Sequence, residues 1–172
     1  PGALDAMLAV AGRPGVGGVG PLLFGDGGVE SAGITVGRFG RVRQRTRVPA
    51  GPTSVSALSG ACLLVGSAER FDERFRHGME DIDLCGRIRE RGRRIYVVPE
   101  ARCWHLGGAS VSRVSPAAQR HAVSGHLRLV GGGWKSGVVV GLAFAQVIRE
   151  RGPYARVGAV AAGWRDWRRS RA

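Results

Sequence analysis

Residues Phe71 to Ser110 read FDERFRHGMEDIDLCGRIRERGRRIYVVPEARCWHLGGAS, and eight of the thirteen acidic residues in the chain stand in or just before this stretch. Ile82, Leu84, Cys85 and Ile88 recur at helical spacing, while Arg87, Arg89, Glu90 and Arg91 supply a polar face. The pattern predicts a helix from Glu80 to Arg91, stopped by Gly92. Carboxylates in a first turn are favoured by the exposed N–H groups and the helix dipole. Glu80, Asp81 and Asp83 therefore read equally as helix caps or as acids held in fixed directions. Ile95 to Val98, closed by Pro99, predicts a short strand, followed by Trp104-His105 and Gly107-Gly108. An acid cluster at a helix start and a histidine beyond the next strand can converge on one site.

Outward from this stretch, 172 residues suffice for one domain with a real core. The 29 glycines and 44% apolar content fit a folded chain rich in turns. The net charge of +13 comes almost wholly from arginine, since Lys135 is the single lysine. Such an excess favours phosphates, anionic lipid or nucleic acid as partners without choosing among them. Arg38, Arg41, Arg43, Arg45 and Arg47 form one acid-free run and Arg165, Arg168, Arg169 and Arg171 a second concentration, both also readable as solvated faces. Cys62, Cys85 and Cys103 are widely spaced with no C-x-x-C pair, so neither a disulfide framework nor a zinc site is indicated. No charged-then-apolar leader opens the sequence as given, and the longest apolar run, Gly137 to Ile148, falls short of the ~20 residues of a membrane span. A soluble or peripheral chain is expected.

In chain order, Leu4, Met7 and Leu8 predict a helical face near the start. Val16 to Phe24 and Val29 to Thr35 predict a hairpin around Gly25-Asp26-Gly27-Gly28. Gly15, Gly17, Gly18 and Gly20 invite a phosphate-loop reading, but no Gly-Lys-Ser/Thr follows. Val55 to Val65 is the strongest buried-strand candidate, with Gly60 marking a bulge or a place where a ligand meets the backbone. Ser115-Pro116 predicts a helix start leading to Val130; further helices are expected from Trp134 to Arg151 and from Gly158 to Arg169. Trp164 and Trp167 beside arginines fit either a membrane interface or a helical tail folded onto its own domain.

Gly60-Ala61-Cys62, Phe71-Asp72-Glu73-Arg74-Phe75, Glu80-Asp81-Ile82-Asp83-Leu84-Cys85, Pro99-Glu100-Ala101 and His105 before Gly107-Gly108-Ala109-Ser110, in this order, resemble the second half of family 2 glycosyltransferases. More narrowly they resemble the bacterial rhamnosyltransferase-like and galactofuranosyltransferase-like members. The resemblance spans about residues 1–112. It implies an α/β class: a partial GT-A-like mixed sheet with flanking helices, followed over 113–172 by a basic helical C-terminal tail. It also implies that the nucleotide-binding half and its Asp-x-Asp lie upstream of Pro1, so that the isolated chain is a fragment, inactive and lacking most of the donor site. The segment between Val65 and Phe71 is shorter than the family's.

Sugar transfer requires neutralisation of a leaving diphosphate, a base for the acceptor hydroxyl, and an oriented acceptor. By the resemblance, Asp81 is the catalytic base and His105 completes a Mn²⁺ or Mg²⁺ site. Glu80, Asp83, Gly60 and Ala61 bind or orient the acceptor. The implied reaction transfers a sugar with inversion from a nucleotide-sugar donor to a glycan or lipid-linked acceptor in cell-envelope polysaccharide synthesis. A cytoplasmic location is implied, with peripheral contact at the inner face of the plasma membrane through the Arg/Trp-rich C-terminus, and no specific nucleic acid is expected. Two other classes fit the residue types: a basic nucleic-acid-binding module, and a metal-dependent hydrolase using Glu80, Asp81, Asp83 and His105.

Overall fold

The computed structural model describes residues 2–37, 40–76, 78–106, 115–131, 133–149 and 154–170. It divides into two compact units: Pro1–Gly37, Arg41–Asp72 and Asp81–Gly107 form the first, and Arg38–Gly40, Glu73–Glu80 and Gly108–Ala172 the second.

The first unit is a mixed α/β layer structure. Helix α1 (Ala3–Ala11) leads into β1 (Val16–Gly25), β2 (Gly28–Ser31), β3 (Ile34–Val36), β4 (Val42–Gln44), β5 (Thr53–Val55) and β6 (Leu64–Val65). Helix α2 (Glu80–Glu90) and β7 (Arg94–Trp104) complete it. β1 and β7 pair in parallel; β5 joins β7 antiparallel; β2 and β6 both pair antiparallel with β1. Consecutive burial of Val97 and Val98 shows that both faces of β7 are covered, as expected of a parallel pair. α1 packs Met7 and Val10 with Val16, Val19, Val98 and Ala101.

The glycines of β1 serve packing. A side chain at Gly17 would collide with Ile88 of α2 and Arg93, and one at Gly20 would press on Leu58 and the Cys62 carbonyl at 3.1 Å. Both residues are buried inside a strand, where their missing Cβ lets neighbouring elements approach the backbone. They form no phosphate loop.

Several expectations change. Met7 and Val10, not Leu4 and Leu8, face the core; Leu4 and Leu8 are exposed. The second strand of the hairpin breaks at Gly33, whose φ of +90° suits glycine and whose N–H donates to Ser31 Oγ. Val55 to Val65 does not form one strand. Pairing with β7 ends at Val55, the N–H groups of Ser56 and Ala57 donate to the Ile34 carbonyl, and a turn follows in which Cys62 N–H donates to Ser59 O. β7 runs through Pro99 to Trp104: the register jumps from Pro21–Val98 to Leu22–Arg102, and this bulge accommodates the proline.

The second unit is helical: α3 (Pro116–Val130), α4 (Trp134–Arg149) and α5 (Tyr154–Arg169). Ser115 Oγ accepts the Ala118 N–H at 3.1 Å, with proline in the first turn, as the sequence predicts. Val123, Leu127, Val139, Val160 and Trp167 form its core. Trp167 is thus inside the tail's own core; Trp164 is partly exposed, with the Arg168 guanidinium 4.9 Å from its ring centre. No helix among the described residues is long and apolar enough to cross a membrane.

Candidate active site around Asp81

α2 begins at Glu80 and stops at Gly92, whose φ of +78° reverses the chain into β7. The start of α2 therefore points in the direction in which β7 runs. In open α/β sheets, that is the end at which ligands bind.

Asp81 stands in the first turn. Its Oδ2 accepts the Gly60 N–H at 3.0 Å and its Oδ1 accepts the Ile82 N–H at 2.8 Å. A Cβ added at Gly60 would lie 3.5 Å from Asp81 Cβ and 3.9 Å from the edge of the Phe71 ring. Gly60 and Ala61 are exposed, and Phe71 is 49% exposed. Three separated motifs thus meet at one open rim, made of the Gly60-Ala61 turn, the Phe71 ring and the fixed carboxylate of Asp81. Ala61 N–H donates to Ser59 Oγ, which closes the turn.

Asp83 pairs with Arg87 one turn on, at 2.8 Å, and the same guanidinium donates to the Arg70 carbonyl. Arg91 reaches Glu69 at 2.5 Å. These contacts pin the short connection before Phe71 onto α2, and so hold Phe71 in place. Glu80 is half-buried, and its Oε2 has no hydrogen-bond partner among the described residues. It follows Met79, a non-glycine residue at a φ of +75°, a strained conformation directly before the acid cluster.

His105 follows the C-terminal end of β7. Its N–H donates to the Phe24 carbonyl, and its Nδ1 is 3.1 Å from Glu30 Oε2. Beside it, Phe24 and an exposed Trp104 stack with ring centres 5.3 Å apart. Asp81 and His105 thus have different partners, Gly60 and Glu30. Among the described residues no three His, Cys, Asp or Glu side chains gather as a metal-holding group. One imidazole with one carboxylate is too small a donor set for Mn²⁺ or Mg²⁺, so the residues present do not by themselves fit the implied cation, and no step is derived through one. Gly107 to Ser110 of the last motif lie outside the described residues.

Under the site, Cys85 is fully buried and its thiol is pushed up to about 11, first by burial and further by the nearby Asp81 charge. Burial and then the neighbouring Cys103 thiol also raise Cys62. Two residues of these contacts were not singled out by the sequence reading. Phe71 was visible only as part of a motif, and Glu30, in a distant hairpin strand, gave no signal.

A mixed α/β unit with a carboxylate fixed at the helix-start end of its parallel pair describes a class of enzyme-like scaffold, and similarity to known proteins narrows it. No family model matches the chain. It is 33% identical over 128 residues to the O-antigen biosynthesis protein RfbC of Myxococcus xanthus, covering 64% of this chain and 10% of that protein. It is 32% identical over 138 residues to the N-acetylglucosaminyl-diphospho-decaprenol L-rhamnosyltransferase of Mycobacterium tuberculosis, covering 66% of this chain and 45% of that protein. The chain thus spans less than half the length of these curated relatives. Their names support a relationship to glycosyltransferases.

Proposed function

We propose that this chain carries the acceptor-activating part of a family 2-like sugar transferase, acting with inversion on a glycan or lipid-linked acceptor in envelope polysaccharide synthesis. The observation that carries the reading is the Asp81 carboxylate, oriented by two backbone N–H groups at an open rim beside Gly60 and Phe71. An acceptor hydroxyl entering over Gly60 meets that carboxylate, while the Phe71 ring offers an apolar face to a sugar ring. Asp81 takes the hydroxyl proton as the oxygen bonds to the anomeric carbon of a nucleotide-sugar donor, and the bond to the diphosphate breaks with its electron pair. A single displacement inverts the anomeric centre. The Asp83–Arg87 pair and the Arg91–Glu69 pair keep the rim in place. The rhamnosyltransferase relative makes L-rhamnose donors the first to try.

The test is sugar transfer by the longest natural form of the protein, wild type against Asp81→Asn, with product configuration read by NMR. Wild-type transfer with retention, or full turnover by the variant, overturns this assignment.

A further inference from the structure

Cys62 and Cys103 take no part in sugar transfer at Asp81, yet the fold brings them together beside that site. Cys62 closes the exposed Gly60-Ala61 turn, its N–H donating to the Ser59 carbonyl. Its own carbonyl is pressed onto β1, 3.1 Å from where a side chain on Gly20 would stand. The Cys62 side chain packs on the cluster that holds Val98 and Ala101 of β7. Along β7, Ala101 is buried, Arg102 exposed, Cys103 half-buried and Trp104 exposed, so Ala101 and Cys103 share the face that Cys62 packs against. The two thiols stand within side-chain hydrogen-bonding reach of each other, and Cys103 S–H also donates to the Trp104 carbonyl at 3.8 Å.

Both cysteines are free and half-exposed, so a small oxidant reaches them. Cys85 differs. It is fully buried, and Leu58, Asp81 and Arg89 surround its sulfur in place of a second thiol.

We propose that Cys62 and Cys103 are a modification site, a dithiol that closes reversibly into a disulfide on meeting a small disulfide such as oxidised glutathione. One protein thiolate attacks a glutathione sulfur; the glutathione S–S bond breaks, and one glutathione leaves with the electron pair and takes up a proton. The second protein thiolate attacks the protein-bound sulfur, forms the Cys62–Cys103 bond and releases the other glutathione. Two protein thiols are oxidised and one glutathione disulfide is reduced to two thiols. Because the two side chains are neighbours, the second step is intramolecular and outruns the accumulation of adducts.

The consequence is local to the Asp81 rim. The Gly60–Asp81 hydrogen bond ties the turn to α2, and the disulfide adds a covalent tie to the end of β7, directly before Trp104 and His105. The rim thereby responds to the thiol–disulfide balance around it. Such a switchable pair differs from the structural framework that the sequence spacing argues against, since the fold and not the spacing brings these two residues together. Crosslinking is read by mass and needs no sugar transfer, so this inference stands apart from the role of Asp81.

The experiment treats the whole reduced chain, native and in urea, with oxidised glutathione at neutral pH. Alkylation in denaturant and peptide mass spectrometry without reduction follow. The native chain is expected to carry Cys62 joined to Cys103 with Cys85 alkylated, in at least about tenfold excess over glutathione adducts. Dithiothreitol should reverse the bond. In urea the selectivity should vanish, because Cys85 is nearer in sequence to either partner. Cys62→Ser and Cys103→Ser should each leave the remaining thiol as a glutathione adduct. The crosslinked chain should also melt several degrees above the reduced one. Circular-dichroism melting shows whether each serine variant folds; if one does not, the selectivity of the wild type decides. Stable adducts on both cysteines, pairing through Cys85, crosslinks between chains, an unchanged pattern in urea, or a melting temperature that does not rise on oxidation would each overturn the proposal.

Discussion

The Asp81 carboxylate accepts the backbone N–H of Gly60 at 3.0 Å across 21 residues of sequence. This hydrogen bond joins the first turn of α2 to an exposed turn that belongs to no strand. Asp81→Asn keeps the side chain's size and one acceptor oxygen but removes its capacity as a base. Turnover is expected to fall by roughly 10²–10⁴-fold. Loss of the helix-start charge should cost only about 0.5–2 kcal/mol of stability. Turnover and thermal melting on the same preparation separate the two effects: a fall in melting temperature without a catalytic defect leaves Asp81 a cap.

Asp83 shares the helix start but is engaged differently, in a half-exposed pair with Arg87. A pair of that exposure contributes about 0–1 kcal/mol. Asp83→Asn should therefore lower stability slightly and leave the acceptor KM unchanged. A KM raised several-fold with unaltered melting would restore Asp83 to direct acceptor binding.

Two glycines of α5 make opposite predictions. At Gly163 an added methyl meets the Arg120 carbonyl and the Val123 side chain, whereas at Gly158 nothing lies within 4 Å. Gly163→Ala should destabilise by about 1–3 kcal/mol through overpacking. Gly158→Ala should stabilise by up to about 1 kcal/mol through helix propensity. Urea denaturation of both variants checks the pair, and equal effects would mean that α5 does not sit on α3 at Gly163.

What the sequence disclosed follows from how local each signal is. α2 with its Gly92 stop, the hairpin turn and the Ser115-Pro116 helix start are set by neighbouring residues, and all three were readable. The long Val55 to Val65 strand was not, because a carbonyl from distant Ile34 captures Ser56 and Ala57. Pro99 looked like a strand end because nothing local reveals the bulge opposite Pro21-Leu22. At the candidate site, the motifs holding Gly60, Phe71 and Asp81 were legible as separate pieces. The partnership of His105 with Glu30, 75 residues away, was not.

Cys85 is buried beneath the Asp81 turn with its thiol raised to about 11. The thiolate is the reactive form, so Cys85 should resist iodoacetamide at neutral pH. Cys62 and Cys103 are half-exposed and should be modified in the native protein, Cys62 more slowly than its exposure alone would give because its thiol is also raised, with Cys85 following only on denaturation. Mass spectrometry of labelled peptides gives the order, and early modification of Cys85 would show that α2 opens readily.

His126 supplies a test of the second unit through pH. Its Nε2–H donates to the Gly40 carbonyl at 2.9 Å. Burial lowers its pKa below the ordinary histidine value of 6.5, and the hydrogen bond opposes the shift only in part. Above pH 6.5 both folded and unfolded chains hold the imidazole largely neutral, and its contribution to stability is fully present. As the pH falls through 6.5 the unfolded chain takes up a proton that the folded chain still refuses, so unfolding becomes easier. Below the folded pKa the loss levels off. His126→Gln retains a donor for Gly40 but cannot titrate. Between pH 7 and pH 5 the unfolding free energy of the wild type should therefore fall more steeply than that of the variant. Urea titrations at half-unit pH steps measure the difference; parallel curves would mean that His126 is as accessible to protons in the folded chain as in the unfolded one.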